Sequence, residues 1–216
     1  MSNEDLQVVV GEELYWDPTV DSEAIAVSAT AGGAITLRGT VGSLREKRQA
    51  QRAARRVGGV KSVENELQVR LLTRHLRRNA DLRAAVLQAL MLDAVVPSTV
   101  DVRAFDGWVT LTGTAEWQHQ REEAELIAGN VLGVLGVVDE IELENPRPKP
   151  ADVRRSIETA LARNASIDRH LIAVITYNST VALAGIVHSW PEHDEAIAAA
   201  WAVPGVTQVD DRIVVD

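Results

Sequence analysis

The chain has 216 residues, of which 46% are hydrophobic and 25% are charged, a composition typical of a folded globular protein, so we expect disorder only at linkers. Its formal net charge of −9 argues against general nucleic-acid binding, because that function needs a cationic surface. The sequence has no cysteine, which excludes disulfides, thiolate metal sites and a cysteine nucleophile.

The first residues, Met-Ser-Asn-Glu-Asp, are acidic and lack the basic and apolar regions of a secretory signal peptide. No apolar run reaches the length that a membrane-spanning helix needs. These two features predict a cytoplasmic protein.

Glycines recur at matching distances and divide the chain into three copies of one unit. A Gly-Val step begins at Gly59, Gly133 and Gly205, and a second glycine lies upstream of each step, at Gly39, Gly113 and Gly185. Both markers share the same offsets, 74 and then 72 residues. A repeat of this length indicates one duplicated structural unit. We therefore predict modules over residues 1–70, 80–144 and 151–216, joined by a linker at 71–79 and a proline-rich linker at 145–150.

Each module is predicted to begin with an amphipathic helix, because apolar residues follow helical spacing. The helices start after Asp5, Asp81 and Asp152, and we expect Asp81 to be the N-cap of the second. A strand with alternating polarity follows, and then a tight turn of residues that tolerate positive φ. The turns are Ala31-Gly32-Gly33, Asp106-Gly107 and Asn178-Ser179.

A return strand leads into a second helix whose alanines are in register in the three copies. The matching alanines are Ala50, Ala124 and Ala196, and then Ala54, Ala128 and Ala200. The Gly-Val glycine ends this helix, since a left-handed cap suits glycine. A last strand closes each module and carries Asn65, Asp139 or Asp211 at the same position.

The order helix, strand, strand, helix, strand predicts an α+β fold of three tandem αββαβ modules. The hairpin half is antiparallel, and the strand–helix–strand half favours a right-handed parallel crossover. We expect each module to be a small mixed three-stranded sheet with both helices packed on one face.

These residues resemble the BON domain (bacterial OsmY and nodulation). The chain has three tandem copies of it and resembles osmotically inducible OsmY-like proteins. The resemblance rests on Leu37-x-Gly39, the alanines of the second helix, and Gly59-Val60 followed by Val63-x-Asn65-x-Leu67, and the pattern returns in the other two modules. It implies a module without enzymatic activity. It also implies links to osmotic and envelope stress, to phospholipid binding, and in some members to potassium binding or to attachment to channels and secretins.

The second helix of the first module is strongly basic. Its cationic residues are Arg45, Lys47, Arg48, Arg52, Arg55 and Arg56. Residues 80–144 hold 3 basic and 12 acidic side chains, so the middle module has the opposite character. The basic residues could meet the phosphates of an anionic membrane surface. They could also form a solvated face, or dock on the acidic middle module.

The tryptophans divide into two groups. Trp117 and Trp190 lie at the entrance to a second helix, where exposure would suit a membrane interface or a partner groove. We expect Trp16, Trp108 and Trp201 to pack in a core or between repeats.

No pattern of a catalytic site is present. His188 and His193 lack the i, i+4 spacing of a zinc-binding helix, and the acidic residues lack calcium-loop spacing. We therefore predict no enzyme and no cofactor, with potassium as the one ion that the resemblance favours.

Three functions stay open. The first is a stress-associated accessory protein that binds phospholipid or a membrane-associated partner. The second is a cytoplasmic potassium-responsive module. The third is a scaffold or homo-oligomer, in which sheet edges or apolar faces pair between chains.

Overall fold

A computed structural model describes residues 2–30, 32–71, 75–144, 152–163 and 171–216. Residues Met1–Ala115 and His119–Glu142 form one compact unit, and residues Glu116–Gln118 and Leu143–Asp216 form a second. The proline-rich linker predicted at 145–150 lies outside the described residues, as do residues 72–74 of the first linker.

The first module contains two helices and a mixed sheet. Its elements are α1 (Asn3–Trp16), a 3-10 turn (Ser22–Ala24), β1 (Ile25–Ala29), β2 (Ala34–Val41), α2 (Leu44–Arg56), β3 (Ser62–Asn65) and β4 (Gln68–Val69). Strand β1 pairs antiparallel with β2, while β3 and β4 pair parallel with β2. The last predicted strand is thus two short strands in this module.

The other two modules repeat this order. The second has α3 (Asn79–Met91), β5 (Asp101–Phe105), β6 (Trp108–Ala115), α4 (Gln118–Asn130) and β7 (Gly136–Leu143). The third has α5 (Val153–Arg163), β8 (Ile172–Tyr177), β9 (Thr180–Val187), α6 (Trp190–Trp201) and β10 (Gln208–Val215). The return strand is central in both sheets, and in the third module it is antiparallel to β8 and parallel to β10. The predicted αββαβ order and mixed sheets are confirmed.

The helix start agrees with the sequence pattern in the third module, where α5 begins directly after Asp152 and the Asp152 carboxylate accepts the N–H of Arg155 at 2.9 Å, but it differs in the other two modules. Ser2 caps α1, because its Oγ accepts the N–H of Asp5 at 3.1 Å while the Asp5 carboxylate accepts the N–H of Ser2 at 3.0 Å. The prediction that Asp81 caps α3 is wrong. Arg78 is the N-cap residue, without a capping side-chain hydrogen bond, and Asp81 lies in the first turn, 2.9 Å from Arg78. Because the helix dipole favours a carboxylate throughout the first turn, the sequence pattern does not separate the two positions.

Each core lies between the helices and the sheet. Leu37, Leu111 and Leu183, at matching positions of the central strands, are fully buried. Full burial of such a side chain contributes about 1.5–3 kcal/mol. The alanines of the second helices are also fully buried, which lets each helix lie close to its sheet.

The repeated glycines are needed for two different reasons. Gly39, Gly113 and Gly185 have positive φ, and a Cβ there would lie 1.9–2.2 Å from a backbone carbonyl oxygen one or two residues before the first strand. Gly59, Gly133 and Gly205 have positive φ, of 90°, 109° and 86°. The prediction that they end the second helix is wrong, because each lies in a turn beyond the helix, in which the N–H of the next valine donates to the carbonyl oxygen three residues earlier.

The recurring Asn or Asp of the last strand joins that strand to the second helix, a contact that we call the helix–strand clasp. Asn65 donates to the carbonyl oxygen of Lys47 at 2.8 Å. At the same position Asp139 forms an ion pair with Arg121 at 2.6 Å, and Asp211 contacts Nε2 of His193 at 2.8 Å. In all three modules the side-chain Oδ1 also accepts the N–H two residues further on, at 3.0–3.2 Å.

Candidate functional site

The basic helix α2 is anchored at its first turn and along its alanine face. Its N-cap residue Ser43 accepts the N–H of Glu46 at 3.1 Å. The Glu46 carboxylate in turn accepts the backbone N–H groups of Gly42 and Asp21 at 2.8 and 2.9 Å. Ala50, Ala53 and Ala54 are fully buried. The basic side chains therefore occupy the rest of the helix surface.

These six side chains do not share one environment. Arg45, Arg52 and Arg56 are exposed, whereas Lys47, Arg48 and Arg55 are half-buried. Arg45, Arg48 and Arg52 follow one another at spacings of three and four residues, so they lie on one face of the helix. We call these three residues the arginine stripe.

Arg56 pairs with carboxylates at the end of the first helix, so its guanidinium is not available to a ligand. Its guanidinium lies 2.7 Å from a carboxylate oxygen of Glu13 and 2.7 Å from one of Asp17, so it ties the end of α2 to the end of α1. The Asp17 carboxylate accepts a hydrogen bond from the hydroxyl of Thr19 and forms an ion pair with Arg56. These two contacts lower the pKa of Asp17 to about 2.

Arg48 joins the first module to the second. Its Nη2 lies 2.9 Å from Oε1 of Glu125 on α4, and the Glu125 carbonyl oxygen lies 3.4 and 3.5 Å from its two terminal nitrogens. The guanidinium rests against Gly129, where an added Cβ would lie 2.4 Å from Nη1. Of the alternatives for the basic helix, docking on the acidic middle module thus applies to Arg48.

Arg45 and Arg52 are the exposed cations of the stripe. Within the part of the chain that the structure describes, neither side chain forms a hydrogen bond or an ion pair. A guanidinium in this state keeps all its donors available for carboxylate or phosphate oxygens. These two residues are therefore the ones on α2 best placed to bind an external anion.

The tryptophans differ from the sequence expectation. Trp117 and Trp190 are half-buried, and Trp190 packs against the core of the third module with its ring 5.1 Å from that of His193. The prediction that Trp16 and Trp108 pack in a core or between repeats is wrong, because they are 77% and 52% exposed. Trp16 follows the buried Leu14 by two residues, about 200° around the helix, which turns it away from the core.

The structure adds an exposed apolar pair at the end of each first helix in the first compact unit. Tyr15 and Trp16 are 69% and 77% exposed, and their rings meet edge to face with centroids 5.2 Å apart. Met91 and Leu92, at the matching place in the second module, are 78% and 81% exposed. The sequence signal was present: each pair directly follows the last core leucine of its helix, Leu14 or Leu90.

Metal and membrane-spanning features are absent from the described ranges. These residues contain no group of three or more His, Asp or Glu arranged to hold a metal ion. None of the described helices is long and apolar enough to cross a bilayer. Potassium binding stays a prediction.

Comparisons with known proteins agree with the repeat pattern. The model of the BON domain matches three times, over residues 2–70, 78–145 and 150–216. Osmotically-inducible protein Y of Escherichia coli (strain K12) is 34% identical over 128 residues, or 56% of this chain and 64% of that protein. The chain thus spans slightly less than two thirds of the length of that relative.

Two solved structures of CdsD, a structural protein of the type III secretion system of Chlamydia trachomatis, also match. They cover 98% and 100% of this chain, and 92% and 100% of their own chains. Both are 13% identical with a TM-score of 0.27, which is too low to support an argument about architecture.

Proposed function

Because this chain belongs to the BON domain family, we propose that it is a non-enzymatic, stress-associated protein that binds an anionic phospholipid surface. The named E. coli relative is osmotically inducible, which supports a role in osmotic stress. The cytoplasmic face of a membrane is the surface that we propose, since its anionic lipids attract basic segments.

The observation that carries this proposal is the pair of exposed arginines on α2, Arg45 and Arg52, without partners in the described part of the chain. An exposed aromatic pair, Tyr15 and Trp16, lies at the end of α1 that Arg56 ties to α2. Cations and exposed aromatic rings on one module are the composition that suits the membrane–water interface. The first module therefore presents both kinds of contact that a peripheral protein uses.

Vesicle sedimentation at low salt tests the proposal. The chain should co-sediment with vesicles that contain phosphatidylglycerol and stay in solution with pure phosphatidylcholine. Each basic residue near an anionic surface contributes about 1 kcal/mol. The double substitution Arg45→Gln/Arg52→Gln should therefore weaken binding about 30-fold.

The matched control is Arg70→Gln/Arg103→Gln. Both residues are exposed, belong to the same compact unit and form no side-chain ion pair within the described ranges. Because each variant replaces two arginines with glutamines, the change in net charge is identical. This variant should bind within a few-fold of the parent. Equal weakening by the two variants would contradict a localised surface and indicate only a general charge effect.

We propose self-association through the third module as a second candidate function. On the side of its sheet opposite the helices, Ile175, Tyr177, Ile186 and Val214 are 48–77% exposed. Ile172 and Val174, which alternate with the first two along β8, are buried. Analytical ultracentrifugation should detect a dimer that Ile175→Asp abolishes, and a monomer at high micromolar concentration would reject this candidate.

The potassium-responsive module remains an untested alternative. A ligand that binds only the folded state raises the melting temperature. Melting in potassium and in sodium at matched ionic strength therefore tests it, and equal melting temperatures would reject it.

A further inference from the structure

A groove lies between α2 and α4, within the first compact unit. Its volume is about 230 Å³, and it is lined by Arg45, Arg48, Gln49, Arg52, Leu126 and Asn130. The arginine stripe forms one wall, from the first module, and the second module supplies the other. We call it the arginine groove.

Arg48 is a fixed part of this groove. Its contacts with Glu125 and Gly129 on α4 hold the guanidinium in place, and its side chain is 23% exposed. Glu125 offsets the charge of Arg48. The remaining positive charge of the groove therefore comes from Arg45 and Arg52.

Arg45 and Arg52 lie on either side of Arg48 along the helix. Their backbones are about 10 Å apart, because seven residues separate them at about 1.5 Å each. Both residues line the same groove, and neither side chain has a partner in the described part of the chain. Two like charges that face one space repel each other, and an anion between them converts this repulsion into two attractions.

The other lining residues indicate the kind of anion. The amides of Gln49 and Asn130 can donate to phosphate oxygens and accept from hydroxyls, while Leu126 gives a small apolar wall. The groove is smaller than the roughly 300 Å³ at which pockets for drug-sized ligands begin. A compact ligand with one multiply charged oxyanion fits these features, and a planar guanidinium can donate two parallel hydrogen bonds to two oxygens of a phosphate.

We propose that the arginine groove is a phosphate-binding site built by two modules, which takes the phosphate of a lipid headgroup or of a small soluble phosphate ester. This inference deepens the membrane proposal and uses two of the same arginines. It claims in addition a discrete site and a contribution from α4.

The test titrates the full chain with glycerol 3-phosphate at constant ionic strength, with sodium chloride and glycerol as references. At ten times the measured Kd, the melting temperature of the first unit should rise by about 3–5 °C. Hydrogen exchange should slow in α2 and α4. Arg45→Gln/Arg52→Gln should remove the rise, and the control Arg70→Gln/Arg103→Gln should keep it.

The contribution of the second module is tested with Asn130→Asp. The substitution keeps the size of an exposed side chain and adds one negative charge to the α4 wall. It should weaken glycerol 3-phosphate binding at least 10-fold. An unchanged Kd would overturn the claim that α4 lines the site.

The vesicle experiment, repeated with Asn130→Asp, distinguishes the two sources of phosphate. Weaker vesicle binding together with a glycerol 3-phosphate response supports a lipid headgroup in the groove. A glycerol 3-phosphate response without vesicle binding supports the groove and rejects the membrane proposal. Vesicle binding that depends on Arg45 and Arg52, with no glycerol 3-phosphate response, overturns the groove and leaves the membrane proposal standing.

Discussion

The second helices of the first and third modules, α2 and α6, have the same place in the fold but different outer surfaces. Both bury alanines at matching positions, among them Ala50 and Ala196. Residues Leu44–Arg56 carry six basic side chains and one acidic, whereas residues Trp190–Trp201 carry three acidic side chains and no Lys or Arg. The exposed Arg52 of α2 corresponds to the exposed Ala198 of α6.

This difference separates the residues that make the module from those that give it a function. The buried face and the backbone-restricted glycines must recur, because every copy packs the same helix on the same sheet. The outer face is free to differ, since surface substitutions cost little stability. We therefore expect substitutions at repeated positions to have similar effects in both modules, and those of the exposed outer residues Arg45 and Arg52 to alter binding alone.

The largest effect is expected at the glycine shared by the central strands. Gly39→Ala and Gly185→Ala should each lower the free energy of unfolding of their module by at least about 3 kcal/mol, because the new Cβ would overlap a backbone carbonyl oxygen at 1.9–2.0 Å. Urea denaturation measures the loss. A loss below 1 kcal/mol in either module would show that the two modules do not share this constraint.

A glycine without such a constraint provides the control. Gly11 lies inside α1, and no atom lies within 4 Å of the place where a Cβ would be built. Gly11→Ala should stabilise the first module by up to about 1 kcal/mol, since alanine is the better helix former.

The helix–strand clasp should give the next largest effect. Asn65→Ala removes three hydrogen bonds, with the Lys47 carbonyl oxygen, the Gln51 side chain and the Leu67 N–H, and should cost about 2 kcal/mol. Asp211→Ala removes the contact with His193 and the bond to the Ile213 N–H, with a similar expected cost. Urea denaturation of each variant measures the change in the free energy of unfolding. A decrease for only one of the two variants would show that the helix–strand clasp stabilises that module alone.

Asp17 should make the first module sensitive to acid. Its pKa in the folded state is lowered to about 2 by Thr19 and Arg56, below the usual 3.8. A carboxyl group with a lowered folded pKa contributes stability above its unfolded pKa and loses it as the pH falls towards the folded value. Asp17→Asn should therefore destabilise the module by up to about 2 kcal/mol at pH 7 and by much less at pH 2.

The measurement is the difference in unfolding free energy between parent and variant from pH 7 to pH 2. Asp93 is the matching residue of the second module and pairs with no cation among the described residues. Asp93→Asn should have the smaller effect at pH 7. A difference that stays constant with pH for Asp17→Asn would contradict the ion pair with Arg56.

The local sequence predicts most of the fold, because each recurring residue meets a constraint within its own module. The repeated glycines, the hairpin turns and the alanine faces are of this kind. The sequence does not predict the contact of Arg48 with Glu125 and Gly129, which depends on how two modules pack. A glycine inside a helix usually weakens it, so Gly129 carries no signal of the guanidinium that rests on it.

The candidate site shows the same limit. Sequence analysis identifies the six basic residues of α2, but only the structure separates Arg56 and Arg48, which have carboxylate partners, from Arg45 and Arg52. Trp16 is predicted from the sequence to pack in a core or between repeats. Its position relative to Leu14 on the helix exposes it instead.

The smallest effect on stability is expected for the substitutions with the largest effect on binding. Arg45→Gln/Arg52→Gln should change the free energy of unfolding by less than about 0.5 kcal/mol, because neither side chain has a partner to lose in the described part of the chain. Arg48→Gln should cost about 1 kcal/mol or more, since it leaves Glu125 without its ion pair. If urea denaturation showed a loss above 1 kcal/mol for the double variant, the outer face of α2 would serve the fold, and the contrast with α6 would no longer indicate function.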